Sequence, residues 1–387
     1  MQKIFFPIAA LTALVFFTHC KNEKTTTTNT SITESPSSKG FYKHLKGSIG
    51  NFPVTMDIVQ MQHNAHDDME AFVDYSGYYY YDKYQKPIVV NGLIDSTGNL
   101  MLEEWSNEGS SARFLGKMNA DGTYIGIWQD ASGKKPLAFN LKENYSDGAI
   151  AFDFYAFEDS LKLWKDQPNS PLAEFDMRFL LPNKNTEGGV FSFLKDKIFT
   201  NLKGDSIEKS YATLSPDALH SAQRDTFFKN YLDMFKDEKP QKTEMPAMSM
   251  NATESSNMSI LFNESGLLSI GYGIYEYSGG AHGNHATILK THNLVDKKTM
   301  TLTDVFKPGY EKIVDAALGR AVREKFNLKI TEPLSSALFE DKIEHNDNFS
   351  LTKKGITFLY NPYEIASYAQ GEIELFIPFD LLKSVLK

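Results

Sequence analysis

The chain has 387 residues, of which 41% are hydrophobic and 13% aromatic, and its formal net charge is −9. Its length and hydrophobic content predict two packed domains or slightly more. The negative charge argues against nucleic acid and acidic lipid surfaces as partners. Cys20 is the only cysteine, so no internal disulfide can form.

The first residues carry the pattern of an export signal. Lys3 precedes an apolar run from Ile4 to Phe17, which is too short to span a membrane and is typical of a secretory signal. The run ends just before Cys20. The segment resembles a bacterial lipoprotein signal, in which the cysteine is acylated and becomes the mature N-terminus. We therefore predict a signal peptide over residues 1–19 and lipidation, including palmitate, at Cys20; a plain signal peptide or an uncleaved anchor are the alternatives.

Residues 20–40 are rich in Thr, Ser and Asn and show no apolar periodicity. Such a composition cannot bury a core and predicts a flexible, lipid-anchored tether. The expected location is the bacterial cell envelope, either in the periplasm or on the cell surface, with the membrane as a partner through Cys20.

Residues 41–148 show short apolar alternations at roughly ten-residue spacing, separated by turns such as Asp95–Gly98 and Asn119–Gly122. This pattern predicts an antiparallel β meander or small barrel. The run Tyr78–Tyr81 has two interpretations: a sugar-stacking face, or the core and rim of one strand.

Residues 170–387 mix strands and helices, which predicts an α+β domain with a mixed sheet and segregated helices, and an α+β class overall. Ser215 followed by Pro216 is a strong helix start. The predicted helices are Val190–Leu202, Ser215–Phe235, Tyr310–Phe326 and Phe379–Leu386, and the predicted strands include Phe175–Leu181, Met245–Ser256, Leu267–Tyr277, Ala286–Val295 and Gly355–Tyr360.

Several ordered stretches of this region resemble one family. They are Tyr277–Gly283, Asn293-Leu294, Leu302–Phe306, Gly355–Phe358, Tyr360–Gly371 and Ile377–Phe379. The family is the RsiV-like extracytoplasmic domain (domain of unknown function DUF3298, with its DUF4163 partner) of the lysozyme-sensing anti-sigma factor and of a peptidoglycan deacetylase. The resemblance implies an α+β fold and a binding or sensing role rather than catalysis. It also implies peptidoglycan glycan, or a wall-active protein such as lysozyme, as the ligand.

The candidate ligand site centres on the glycine-rich turn between two predicted strands. Glycines at 279, 280 and 283 allow a partner to approach the backbone closely. Tyrosines offer amphipathic surface for sugars or proteins. The candidate ligand-binding residues are Tyr277, Ser278, Gly279, Gly280, His282, Gly283, Tyr363 and Tyr368. We assign no catalytic residue and no cofactor.

Three histidines in the same stretch raise a second hypothesis, a metal-dependent envelope hydrolase. His282, His285 and His292 are candidate metal ligands. A spacing of three in an extended chain puts two side chains on opposite faces, although the glycines can bend the loop toward convergence. A structural envelope lipoprotein without a ligand is the third hypothesis.

Overall fold

The computed structural model describes residues 33–34, 40–63, 71–105, 111–204, 211, 213–240 and 248–387. The predicted signal peptide, Cys20 and most of the predicted tether lie outside these residues. Within the predicted tether, strand β1 (Thr33–Glu34) is hydrogen-bonded to a later strand, at Asp159 and Ser160. Among the described residues, no helix combines the length and apolarity that a membrane span requires.

The N-terminal part of the described chain, from Gly40 to Glu143, is a closed barrel of eight antiparallel strands, as the sequence predicts. The strands are β2 (Gly40–Ile49), β3 (Phe52–His63), β4 (Phe72–Tyr81), β5 (Ile88–Ile94), β6 (Leu100–Glu104), β7 (Arg113–Met118), β8 (Thr123–Gln129) and β9 (Leu137–Glu143). Pairing of β2 with β9 closes the barrel. Alternate residues of each strand point inward and form a core that includes Phe114, Tyr124 and Phe139.

The tyrosine run in β4 belongs to packed surfaces, so its interpretation as a sugar face is wrong. Tyr79 points into the barrel core and is 1% exposed, while Tyr80 is 0% exposed. The Tyr80 ring packs on Phe262, with ring centroids 5.4 Å apart. Both faces of β4 are covered here because the barrel lies against a second sheet.

That second sheet has seven strands and is mixed. After β1 it contains β10 (Phe152–Lys162), β11 (Leu172–Pro182), β12 (Ala252–Glu264), β13 (Leu267–Tyr277), β14 (Asn284–Asn293) and β15 (Lys298–Thr299). Only β11 and β12 pair in parallel, and the connection between them holds α1 (Val190–Lys203) and α2 (Pro216–Met234). Both helices pack on one face of the sheet and bury its main core. Apart from β1, the strands of this sheet begin at Phe152, whereas the sequence predicts the domain from residue 170.

The last part of the chain forms a smaller layer against β13 and β14. It comprises α3 (Leu302–Val305), α4 (Glu311–Lys325) and a three-stranded antiparallel sheet of β16 (Phe349–Leu351), β17 (Gly355–Tyr360) and β18 (Ile373–Pro378). These elements bury a second core around Ile356 and Phe358. The Ser269 hydroxyl on β13 donates to the Leu351 carbonyl over 2.6 Å, which ties the two sheets together.

Two predicted elements differ from the structure. Residues Met248–Met250 form a single 3₁₀ turn, and the strand predicted from Met245 begins at Ala252. The predicted closing helix Phe379–Leu386 is a 3₁₀ turn over Phe379–Leu381 followed by turns. There the chain forms short-range bonds such as Leu382 N–H to the Phe379 carbonyl (2.9 Å), because it must return Leu386 to pair with Phe306.

A buried polar cluster joins the barrel to the large sheet. The Tyr42 hydroxyl donates to Asp57 over 2.5 Å, and the His44 Nδ1 lies 2.7 Å from the same carboxylate oxygen. From the sheet, the Asn263 amide donates to the Tyr42 hydroxyl over 2.8 Å. Because buried polar groups are costly unless paired, this network fixes one relative position of the two parts.

Candidate functional site

The glycine-rich stretch is the loop that connects β13 to β14, over residues 278–283. Gly279 and Gly280 have φ values of +90° and +102°, in the region that favours glycine. A Cβ on Gly279 would lie 2.6 Å from the Ser249 carbonyl oxygen. Two glycines are therefore required here for the turn and for its close approach to the chain before β12.

Gly283 has a different role, because it makes room for an aromatic ring. A Cβ at this position would lie 2.5 Å from the ring of Tyr275. Tyr275 is on β13, directly opposite His285 on β14. The bare backbone at Gly283 lets the Tyr275 ring lie over the loop, where it is 39% exposed.

The second half of the site is the segment after β17, which is docked on the edge of β14. The Asn361 side chain accepts a hydrogen bond from Thr287 N–H (2.7 Å) and donates to its carbonyl (3.2 Å). The Asn348 side chain bonds to two residues of the same strand. It accepts a hydrogen bond from Leu289 N–H over 2.7 Å and donates one to the Thr287 carbonyl over 2.8 Å. The two side-chain amides thus pair with backbone N–H and carbonyl groups at the edge of β14, which would otherwise need a neighbouring strand as their partner.

Tyr363 lies in a strained backbone conformation at the tip of this segment. Its φ is +68°, which is uncommon for a residue other than glycine and costs on the order of 1 kcal/mol. Its ring is 59% exposed and lies 5.6 Å from the ring of Tyr368. The fold therefore maintains a costly turn that presents this ring to solvent.

Tyr368 joins the two halves of the site. Its hydroxyl donates to the Gly283 carbonyl over 2.8 Å. Its ring stacks on His282, with centroids 4.2 Å apart at 25°, and meets the His285 ring edge-on at 5.6 Å. We call the group of Tyr275, His282, His285, Tyr363 and Tyr368 the aromatic patch.

The hydrogen bonding of His282 determines what this ring offers to a ligand. Its Nδ1 lies 2.8 Å from the Gly283 carbonyl, which can only accept, so Nδ1 carries the proton. The neutral ring then presents Nε2 as an acceptor. His282 is exposed, so the patch offers aromatic faces together with a hydrogen-bond acceptor at the surface.

Two carboxylates near the patch, Glu372 and Glu364, are hydrogen-bonded to neighbouring side chains. Glu372 accepts from the Thr287 hydroxyl over 2.7 Å. Burial raises the pKa of Glu364, although hydrogen bonds from Asn361 and Asn346 oppose this effect. On the other face of the sheet, burial and the facing Glu276 raise the pKa of Glu254 to about 7.

The structure brings four of the eight predicted ligand residues together. His282, Gly283, Tyr363 and Tyr368 contact one another as described above. Tyr277 donates a longer hydrogen bond of 3.3 Å to the Gly280 carbonyl, within the loop. Ser278 is exposed at the start of the loop, where it has no part in the ring contacts.

The three histidines do not converge. His285 and His292 are seven positions apart on β14, an odd offset, so their side chains point to opposite faces of the sheet. His292 is 0% exposed, packs against Phe193 of α1, and lies 3.0 Å from the Thr299 hydroxyl. Burial, together with Lys197 and Lys290, lowers its pKa to about 4. In the described part of the chain, no three His, Cys, Asp or Glu side chains are grouped to hold a metal.

Sequence reasoning missed the two asparagines that hold the site and the contribution of His285 to the patch. Asn361 precedes Pro362, and this turn dipeptide is a local signal for a fixed segment. Nothing local marks Asn348, because its partner Thr287 lies 61 residues away in sequence.

Comparisons with known proteins agree with this architecture. Residues 191–285 match the family model described as Deacetylase PdaC. A comparison with curated proteins found none that matches this chain. The chain is similar in fold to a crystal structure of a DUF3298 family member from Bacteroides fragilis, with a TM-score of 0.54 and 22% identity over 62% of this chain and 95% of that one.

A second solved structure, of a DUF3298 family protein from Pseudomonas aeruginosa, matches with a TM-score of 0.42 and 20% identity, over 62% of this chain and 96% of that one. Residues 303–380, which contain Tyr363 and Tyr368, match the family model described as Protein of unknown function (DUF3298). The resemblance of the C-terminal region to the DUF3298 and PdaC families is therefore confirmed.

Proposed function

We propose that this protein is a cell-envelope lipoprotein that binds peptidoglycan glycan through the aromatic patch. The observation that carries the proposal is Tyr363, whose strained backbone holds an exposed ring beside Tyr368. Sugar rings stack on flat aromatic faces, and their hydroxyls donate to acceptors such as His282 Nε2. The family matches support a binding or sensing role in general terms.

The patch favours a glycan over a metabolite because it is an open surface rather than a closed cavity. Tyr275 and Tyr363 are both exposed at the end of the sheet. An extended polymer can lie across such a surface, whereas a small ligand binds best when it is mostly enclosed.

Co-sedimentation with insoluble peptidoglycan tests the proposal. Tyr363→Asn removes the ring and keeps a residue that tolerates positive φ. Tyr84→Asn is the matched control, because Tyr84 is also 59% exposed but lies on the barrel. We expect wild type and Tyr84→Asn to sediment with the polymer, and Tyr363→Asn to bind at least about fivefold more weakly. Equal binding of the two variants, or no binding by wild type, would overturn the proposal.

Immobilised lysozyme provides the second arm of the experiment, because a wall-active protein is the alternative ligand. An acidic chain with a net charge of −9 attracts basic proteins over a long range. Binding to lysozyme that needs Tyr363, with no binding to the polymer, would replace the glycan by a protein partner.

We further propose that Cys20 carries the anchor, on the sequence pattern alone. Several acyl groups on one residue give stable membrane attachment, whereas one chain binds only marginally. Cells fed a labelled fatty acid should label the wild-type protein, and Cys20→Ser should remove the label and release the protein from membranes. A labelled Cys20→Ser variant would contradict this assignment.

A further inference from the structure

The outer surface of the barrel carries a continuous row of exposed apolar side chains. Leu93, Met101, Leu115 and Ile127 stand on the adjacent strands β5, β6, β7 and β8, and each is the direct register partner of the next. Their exposed fractions are 51%, 39%, 36% and 46%. We call these four residues the apolar row.

The row is anomalous for a barrel exterior. Outward positions on such strands are normally polar, since only the inward positions face the core. Ile125, which is 45% exposed, extends the row beside Ile127 on the same face of β8. A contiguous patch of aliphatic side chains on adjacent strands marks an interaction surface more often than isolated apolar residues do.

The chemistry of the row narrows the choice of partner. It contains no aromatic ring for stacking a sugar. On β7 the row is flanked by two basic side chains: Arg113, which pairs with Glu103 across 3.8 Å, and Lys117, the register partner of Ile125. These are fewer than the cluster of about four to eight Lys and Arg residues that recognises lipid headgroups. A band of apolar side chains that runs across four adjacent strands is complementary to a second copy of the same band.

We infer that the apolar row is a self-association surface, on which a second copy of this chain packs face to face. A two-fold axis parallel to the strands and between β6 and β7 would exchange those two strands between the copies. Met101 then faces the partner's Leu115, and Leu93 faces the partner's Ile127. The inference does not depend on the ligand proposed for the aromatic patch.

Charge complementarity supports this partner. The next outward position along each strand carries Glu103 on β6 and Arg113 on β7, which are register partners. The same axis puts Glu103 over the partner's Arg113, and Arg113 over the partner's Glu103. The two-fold axis makes each of these contacts twice, so the Glu103–Arg113 pair is complementary to its own copy on the partner.

Sedimentation equilibrium of the full chain, in detergent whose density matches the solvent, tests the inference. We expect wild type to have the buoyant mass of a dimer at high concentration and to dissociate on dilution. Leu115→Glu should be monomeric throughout. Ile330→Glu is the control, because Ile330 is 89% exposed outside the row, and it should behave as wild type. A monomeric wild type at every concentration, or equal behaviour of the two variants, would overturn the inference.

A charge exchange tests the geometry separately from the apolar contact. Glu103→Arg places like charges across the two-fold axis and should weaken dimerisation about tenfold. Combining it with Arg113→Glu restores opposite charges both within and between copies, and should recover most of the affinity. If the double variant is as weak as Glu103→Arg, the proposed axis is wrong. Circular dichroism of each variant would verify that the barrel remains folded.

Discussion

The barrel and the β13–β14 end of the large sheet both use tyrosine, in opposite environments. Tyr79 and Tyr124 in the barrel are 1% and 0% exposed, whereas Tyr275 and Tyr363 at the sheet end are 39% and 59% exposed. The barrel tyrosines have internal acceptors: Tyr79 donates to Glu104 over 2.6 Å, and Tyr124 donates to the Leu100 carbonyl over 3.1 Å. Tyr79 and Tyr124 therefore act as core residues with satisfied hydroxyls.

The difference arises from what covers each strand. The barrel closes on itself, so its inward rings pack on one another, and β4 is also covered by the large sheet. At the sheet end, β13 and β14 stop at a glycine loop, and two rings of the aromatic patch, Tyr275 and Tyr363, stay exposed. Tyrosines that look alike in sequence thus stabilise the fold in one place and form an exposed aromatic patch, the proposed binding surface, in the other.

The largest effect should come from removing a ring inside the barrel. Phe114 is fully buried, with ring centroids 5.1 Å from Tyr79 and 5.2 Å from Phe139. Phe114→Ala should lower the free energy of unfolding by about 3–5 kcal/mol, because it loses transfer energy and leaves a cavity. Urea unfolding followed by tryptophan fluorescence measures the loss. A loss below about 1 kcal/mol would mean that the barrel core is not closely packed.

The second effect is a pH dependence from the buried end of β14. The pKa of His292 is about 4 in the folded chain, against a usual 6.5. Between these two pH values, the unfolded chain therefore binds a proton at His292 that the folded chain does not bind. The stability from this group is present above pH 6.5 and is lost as the pH falls toward 4. The loss amounts to about 3 kcal/mol.

His292→Asn should remove this dependence, since asparagine can still bond to Thr299 and does not titrate. Glu254, with its pKa raised to about 7, titrates in an overlapping range with the opposite sign: its contribution is lost as the pH rises through 7. The difference between wild type and variant therefore isolates His292. Equal pH profiles for the two proteins would show that the imidazole is hydrated in the folded state.

The same comparison shows how far the sequence could predict the fold. Alternating residues and turns predict the barrel strands, and Ser215 with Pro216 predicts the start of α2, because these signals act over a few residues. Barrel closure depends on pairing residues 45–49 with 139–143, and no local pattern specifies that contact. The short-range signals in Phe379–Leu386 favour a helix, whereas the pairing of Leu386 with Phe306 excludes it.

For the candidate site, the predicted ligand residues include three of the five residues of the aromatic patch, but the sequence does not predict how they are arranged. The motifs around His282 and Tyr368 identified residues that the structure brings into contact. The separation of His292 follows from strand parity once the strand is known, but the bend of the glycine loop was unknown. Asn348 and Asn361 were missed because their partners on β14 are distant in sequence.

A smaller, local effect should follow from loosening the aromatic patch. Tyr368→Phe keeps the ring stacked on His282 and removes the hydroxyl that donates to the Gly283 carbonyl. We expect the loop amides to exchange hydrogen faster, by a free energy of about 1 kcal/mol. Tyr277→Phe is the matched control, because its bond to Gly280 is longer, at 3.3 Å, and exposed. If the exchange rates of the loop amides change equally in both variants, the Tyr368 hydroxyl has no special part in keeping the loop rigid.

The smallest effect on stability should follow from replacing Tyr363, the most exposed tyrosine of the patch. Tyr363→Gly relieves a positive φ of +68°, which favours the folded state, while the extra freedom of glycine in the unfolded chain offsets this gain. The net change in the free energy of unfolding should stay within about 0.5 kcal/mol. Binding to peptidoglycan should nevertheless be lost, since the ring is removed. Such a result would separate the binding role of this tyrosine from any structural one, whereas a loss of stability above about 1 kcal/mol would make Tyr363 a packing residue like the tyrosines of the barrel.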